Sequence, residues 1–123
     1  MSKKILIVDD EEDVRLFVAD FLGERDFHVG TAGNGEEARE KFKKTIYDIV
    51  LLDIMMPGMD GMECLEKIKK SWPKTAVIMI TALKDDVRMA KAKKLGASNY
   101  IVKPFSLSYL EAELTQLIQN SQS

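Results

Sequence analysis

Asp9, Asp10, Asp53, Thr81 and Lys103 each stand at or just past the end of a short apolar run. Together they form a set from which a cation-assisted reaction of an anionic group can be built. Three carboxylates brought close repel one another and raise each other's pKa unless a cation joins them. A hard divalent ion, Mg²⁺ or Mn²⁺, suits such a set, and Mg²⁺ is commonly held by one or two carboxylates, water and a phosphate oxygen. Lys103 would bring a point charge, and Thr81 a neutral donor, to the same anionic group. Asp53 is the best placed nucleophile, because carboxylates form aspartyl-phosphate intermediates when a metal screens the phosphoryl oxygens. Singly, these residues have plainer roles: acids before a helix favour its dipole, an aspartate before Pro-Gly makes a turn, and a lysine is usually solvated. Their joint placement at strand ends is what points to a site.

The elements that must position them are legible as an alternation. Five apolar runs, "KILIVD" to Asp9, "FHVGTA" over 27–32, "DIVLLD" to Asp53, "TAVIMI" to Ile80 and "NYIV" to Val102, are separated by amphipathic stretches. The first, third and fourth are nearly continuous Ile, Leu and Val, as in strands covered on both faces; the more polar second and fifth suit sheet edges. Val14, Phe17, Val18, Phe21 and Leu22 repeat at helical spacing, as do Leu107, Leu110, Leu114, Leu117 and Ile118. Asn34 with Glu37, and Asp60 with Glu63, have capping-box spacing. Ser106 is a candidate cap, Phe105 and Leu110 are spaced as a hydrophobic staple, and Gly96 closes the basic turn "KAKKL". Helices are expected near 13–24, 35–44, 61–71, 84–94 and 106–119. Such alternation implies parallel βαβ units with right-handed crossovers, hence a three-layer α/β/α sandwich that binds ligands beyond the carboxyl ends of its strands.

Length and charge narrow the function classes. A chain of 123 residues fits one domain, 1–123, with a structured core at about 3–119 and a frayed tail at 120–123. Twenty acidic against 18 basic side chains argue against a broad nucleic-acid footprint. The lone Cys64 forms no internal disulfide, the start does not read as a signal peptide, and no apolar run approaches the ~20 residues of a membrane helix. The expected location is the cytoplasm, with no membrane or nucleic acid as direct partner.

Four segments, "ILIVDDEEDV", "DIVLLDIMMPGMDGMECLEKIK", "IMITA" and "GASNYIVKPF", resemble the receiver domains of bacterial two-component response regulators. The likeness covers the whole chain and is similar to the single-domain chemotaxis and phosphorelay regulators. It implies a flavodoxin-like (βα)5 fold with sheet order 2-1-3-4-5, which would bring the three carboxylates to one rim. It implies that Asp53 takes a phosphoryl group from a phosphohistidine. Asp10, Asp53 and the Met55 backbone carbonyl would bind Mg²⁺, and Asp9 would act through water. Thr81 and Lys103 would engage the phosphoryl oxygens, with Tyr100 rotating inward as a switch. The Lys103-Pro104 bond is expected to be cis. Met55 and Leu83, both apolar, would flank the line of water attack and make autodephosphorylation slow. The implied partners are a sensor histidine kinase or a histidine phosphotransfer protein, and a target bound through helix four, strand five and helix five. The chain would then be a signalling protein rather than an enzyme.

Other residues read more plainly. Leu16 lies about 200° around the first helix from Val14 and faces solvent, so Arg15, Leu16 and Ala19 are expected to meet the kinase. Met55, Met56, Met59 and Met62 read as adaptable packing, Cys64 as a core-edge residue, and His28 as an edge-strand residue without metal partners. A haloacid-dehalogenase-type phosphohydrolase would need an aspartate two residues after its nucleophile, where Met55 stands. A flavin carrier would need a Gly, Ser and Thr-rich loop where "DDEED" stands. A non-phosphorylated interaction module on the same fold would usually have lost an acid, the threonine or the lysine, and all are present.

Overall fold

The computed structural model describes residues 3–56, 59–82 and 84–121, with side chains at all of these except 56, 59, 60, 120 and 121. Five parallel strands, β1 (Lys4–Val8), β2 (His28–Ala32), β3 (Ile49–Asp53), β4 (Ala76–Thr81) and β5 (Asn99–Val102), form one sheet in the order β2-β1-β3-β4-β5. This is the order the resemblance implies, and the two more polar strands occupy the edges. Five helices alternate with them: α1 (Glu12–Gly23), α2 (Gly35–Lys44), α3 (Gly61–Ser71), α4 (Asp86–Lys94) and α5 (Leu107–Ser121). Met55–Met56 and Met59–Asp60 make a short antiparallel pair after β3.

The side-chain alternation of each strand splits the core into two halves. Ile5, Ile7, Ile49, Leu51, Ile78 and Ile80 face α1 and α5 through Val18, Leu22, Leu110 and Leu114. Leu6, Val8, Val50, Leu52, Val77 and Met79 face the other way, against Ala38, Phe42, Leu65, Ile68 and Ala92 of α2, α3 and α4. Continuous aliphatic runs are therefore needed in the central strands, and β3 is buried at every position.

Helix ends follow local chemistry. The Asn34 side chain accepts from the Glu37 N–H at 2.9 Å, but the Glu37 carboxylate accepts from the Gly33 N–H, one residue before the position a capping box would use. Asp85 caps α4 by accepting from the Val87 and Arg88 N–H groups, which starts that helix at 86 rather than 84. Ser106 caps α5, its Oγ accepting from the Tyr109 N–H at 3.0 Å. Gly96, at φ +106°, ends α4 with paired bonds from Gly96 N–H to Lys93 O and from Ala97 N–H to Ala92 O, a left-handed stop that disfavours a side chain. The last helix runs to Ser121, two residues beyond its expected end.

Phe17 departs from its expected core position and is 57% exposed. Val14, Val18 and Leu22 carry α1 against the sheet, with Phe21 half-buried beside them. Phe17 lies at one margin of this stripe and lines a surface groove with Val14, Pro104, Phe105 and Leu107. At the amino-terminal rim of the sheet, Phe42 stacks on Trp72 with centroids 4.3 Å apart and meets Tyr47 edge-on at 5.4 Å. Thr75 Oγ donates to the Tyr47 carbonyl at 2.7 Å, and Lys69 Nζ donates to the carbonyls of Pro73 and Thr75.

Candidate functional site

At the opposite rim the structure brings together the residues singled out by type. Asp9 follows β1 and is fixed by its own N–H, which donates to Ala32 O at 3.1 Å. Its Oδ1 accepts from the Glu11 N–H at 2.9 Å. Asp53 ends β3, and its Oδ1 accepts from the Met55 N–H at 3.0 Å. Carboxylate oxygens of Asp9, Asp10 and Asp53 lie within 4.8 Å of one another. Asp9 and Asp53 are buried, while Asp10 is exposed.

Lys103 reaches into this group from the end of β5. Its Nζ donates to Asp9 Oδ2 at 2.7 Å, to Glu11 Oε1 at 3.1 Å and to Asp53 Oδ2 at 3.2 Å. Its backbone N–H donates to Thr81 O at 2.7 Å, tying together the two adjacent strand ends that carry the ammonium and the buried hydroxyl. The following Lys103-Pro104 bond is cis.

The electrostatics follow from that geometry. Burial is the largest influence on Asp53 and raises its pKa; the Met55 N–H and the Lys103 charge oppose it, and Asp9 adds to it. Burial alone would lower the pKa of Lys103. Its bond to Asp9 and the charges of Asp9 and Asp53 outweigh burial and hold it well above the ordinary lysine range. Buried acids of one sign, two of them shared by a single cation, have the donor chemistry a hard divalent ion requires: oxygen ligands, excess negative charge and one exposed acid, Asp10, open to water.

Tyr100 is half-buried against the α4 side of the core, and burial raises its phenol pKa, with the nearby Asp85 charge adding to the effect. Leu16, 54% exposed, projects from α1, and Ala19 is half-buried against the sheet. Arg15 turns inward instead: its guanidinium donates to Asp9 O at 2.6 Å and packs beside Gly33. Met62 is buried as packing, whereas Met55 is 54% exposed. Leu83 and the side chains of Met56, Met59 and Asp60 lie outside the described residues.

Two contributors have no individual signal in the sequence. Glu11 reads as one more acid at a helix start, yet its carboxylate holds Lys103. A Cβ on Gly61 would lie 2.5 Å from Ile54 Cα and 3.1 Å from Asp53 O, so α3 packs onto the backbone that carries Asp53 only because no side chain intervenes there. The "DG" before the helix marks a turn; the close approach is visible only in three dimensions.

Comparison with known proteins identifies the family and the fold. The response regulator receiver domain family matches residues 5–115. The transcriptional regulatory protein SrrA of Staphylococcus aureus is 37% identical over 123 residues, all of this chain and 51% of that protein. The chain thus spans about half the length of the curated relatives it matches. A CheY-like receiver domain protein from Methanospirillum hungatei superposes with a TM-score of 0.95 at 28% identity, covering 99% of this chain and 98% of the other. The BeF3-activated receiver domain of DrrB, a Thermotoga maritima protein, does so with a TM-score of 0.89 at 32% identity, covering 97% and 99%.

Proposed function

The chain belongs to the response regulator receiver family, and from that premise we propose that it is switched by phosphorylation of Asp53. An Asp53 carboxylate oxygen attacks the phosphorus of a phosphohistidine. The P–N bond breaks, the imidazole leaves with its electron pair, and an acyl phosphate remains on Asp53. Asp10, Asp53 and the Met55 carbonyl would hold Mg²⁺ (Mn²⁺ fitting the same ligands), with Asp9 acting through water. The ion, when bound, screens the repulsion between the attacking carboxylate and the phosphoryl oxygens.

The remaining steps belong to the chain's own side chains. Lys103 offers its ammonium to a phosphoryl oxygen in exchange for Asp53, and Thr81 offers its hydroxyl to another. The β4–β5 backbone bond couples those two strand ends, and Tyr100, close by on β5, follows Thr81 inward. Two arrangements differing in contacts to the phosphoryl group are what a conformational switch requires. Output then passes through the face of α4, β5 and α5 to a protein target. Leu16 and Ala19, adjoined by Phe17 and the groove toward Phe105, offer the surface for a histidine kinase or phosphotransfer protein, while Arg15 contributes by setting the loop beneath. The protein signals, and its catalysis extends only to its own phosphorylation and slow dephosphorylation in the cytoplasm.

The observation that carries this reading is Lys103 Nζ shared between Asp9 and Asp53 beside Asp10. The test is intact-mass measurement after incubation with a small acyl phosphate and MgCl₂. A phosphoryl adduct that requires MgCl₂ and disappears in Asp53→Asn is expected. No adduct, or an adduct that survives in Asp53→Asn, would overturn the reading.

A further inference from the structure

Glu11 is the N-cap residue of α1, yet its side chain makes no cap hydrogen bond. The residue is extended at φ −83° and ψ 107°, and its Oε1 accepts from Lys103 Nζ at 3.1 Å. Its N–H meanwhile donates to Asp9 Oδ1, so one residue touches both the lysine and the acid that the lysine pairs with. Of the three carboxylates on Lys103, Asp9 and Asp53 belong to the cluster suited to a divalent ion and Glu11 does not. Glu11 is also the exposed member, with its side chain 60% accessible against 4% for Asp9 and 5% for Asp53.

These placements give the three acids unequal roles toward the ammonium. A divalent cation held by Asp10 and Asp53, with Asp9 engaged through water, draws on the two buried carboxylates that the ammonium uses and repels it as a like charge. The Lys103 backbone is bonded to Thr81 O and stays where it is, so only the side chain can respond. Without a further acceptor, the ammonium would either cling to the acids and oppose the metal or swing away from the site.

We propose that Glu11 is a positioning residue that keeps Lys103 at the rim of the site while Asp9 and Asp53 serve the metal, so that the ammonium remains within reach of an arriving phosphoryl group. This deepens the receiver reading above and rests on it for the metal and the phosphoryl group. The geometry itself is independent of phosphorylation: it concerns where one ammonium goes when its other two partners are taken.

The experiment titrates MgCl₂ into the unphosphorylated chain and follows the NMR signal of the Met55 amide, whose N–H sits on Asp53. Glu11→Gln is expected to weaken Mg²⁺ binding about threefold, the scale of one partly exposed charge pair. In a Lys103→Met background the same change should have a clearly smaller effect, because no ammonium remains to be drawn off. An equal loss in both backgrounds would mean that Glu11 acts only as a nearby negative charge, and no loss in either would mean that it does nothing; both overturn the proposal. A second readout needs no Lys103 variant. In lysine-selective NMR, the Lys103 ammonium signal should persist on addition of MgCl₂ in the wild type and in Glu11→Asp, and vanish in Glu11→Gln. Persistence in Glu11→Gln overturns the proposal. Neither measurement involves a phosphoryl donor, so failure here is distinct from failure of the mass test.

Discussion

The two rims of the parallel sheet are built on opposite terms. At the amino-terminal rim, Phe42, Tyr47 and Trp72 close the sheet with stacked and edge-on rings, and polar groups such as Thr75 Oγ find backbone partners. At the carboxyl-terminal rim, buried Asp9 and Asp53 face each other across a single ammonium. The first arrangement gains stability from every group in it. The second buries like charges close together: burial first, and the Asp9 charge after it, raise the pKa of Asp53 and leave stability to be regained by any cation or altered charge. A fold of this kind can place a strained site at one end because the other end and the two core layers supply the stability.

The strongest test of that division removes an anchor from the quiet rim. Phe42→Ala deletes a buried ring and should cost about 3–4 kcal/mol in denaturant unfolding, while the folded fraction still forms the Mg²⁺-dependent adduct in full. Loss of the adduct from folded protein would show that the rims are not separable. Next comes Gly61→Ala, at the charged rim. The new Cβ meets backbone at 2.5 Å, so α3 or the Asp53 loop must move, costing about 2 kcal/mol. Phosphorylation from a small donor should slow about tenfold or more, as expected when a reacting group is displaced by a fraction of an ångström to one ångström.

Asp53→Asn sharpens the contrast through its sign. Because the charged form of Asp53 is disfavoured in the fold, a neutral isostere should raise the thermal midpoint while abolishing the adduct; a lowered midpoint would place the stability of this rim in the Lys103–Asp53 pair instead. A last contrast lies away from both rims, at Cys64, where burial pushes the thiol from 9.0 up to about 11. Between those values the unfolded chain has lost the proton and the folded chain keeps it, so stability falls as pH rises. Measured against Cys64→Ala, the wild type should lose ground from pH 9 to 11, and parallel pH curves would refute the buried-thiol assignment.

Much of the charged rim was readable in the residues because strand ends are where periodicity stops and polar types begin. Asp9, Asp53 and Thr81 each follow a nearly continuous apolar run and Lys103 follows the shorter Ile101-Val102, and a parallel α/β sheet has only one end to which such residues can go. The strand order itself came from resemblance, since alternation alone is compatible with several orders. What stayed hidden depends on approach between distant segments. Phe17 belongs to the apolar stripe by angle but sits at its margin, where it is exposed. Arg15 looks solvent-directed on a helical wheel, yet it is long enough to turn back to Asp9 O. Glu11 resembles a helix-dipole acid until β5 brings Lys103 beside it. The Phe42–Trp72 stack joins α2 to the residue just past α3, segments whose sequences say nothing of each other.

The Lys103–Asp9 bond joins positions 94 residues apart, and the Lys103–Asp53 bond spans 50. Loop closure over such lengths is entropically costly and comes late in assembly. A chain emerging from a ribosome therefore holds its first two acids long before the lysine exists to neutralise them. Any ligand that needs Asp9, Asp53 and Lys103 together binds only the fully assembled chain, and at a hundred times its dissociation constant it would add about 2.7 kcal/mol to global stability by mass action. Occupancy of this small rim is thus a readout of whether the entire polypeptide has folded.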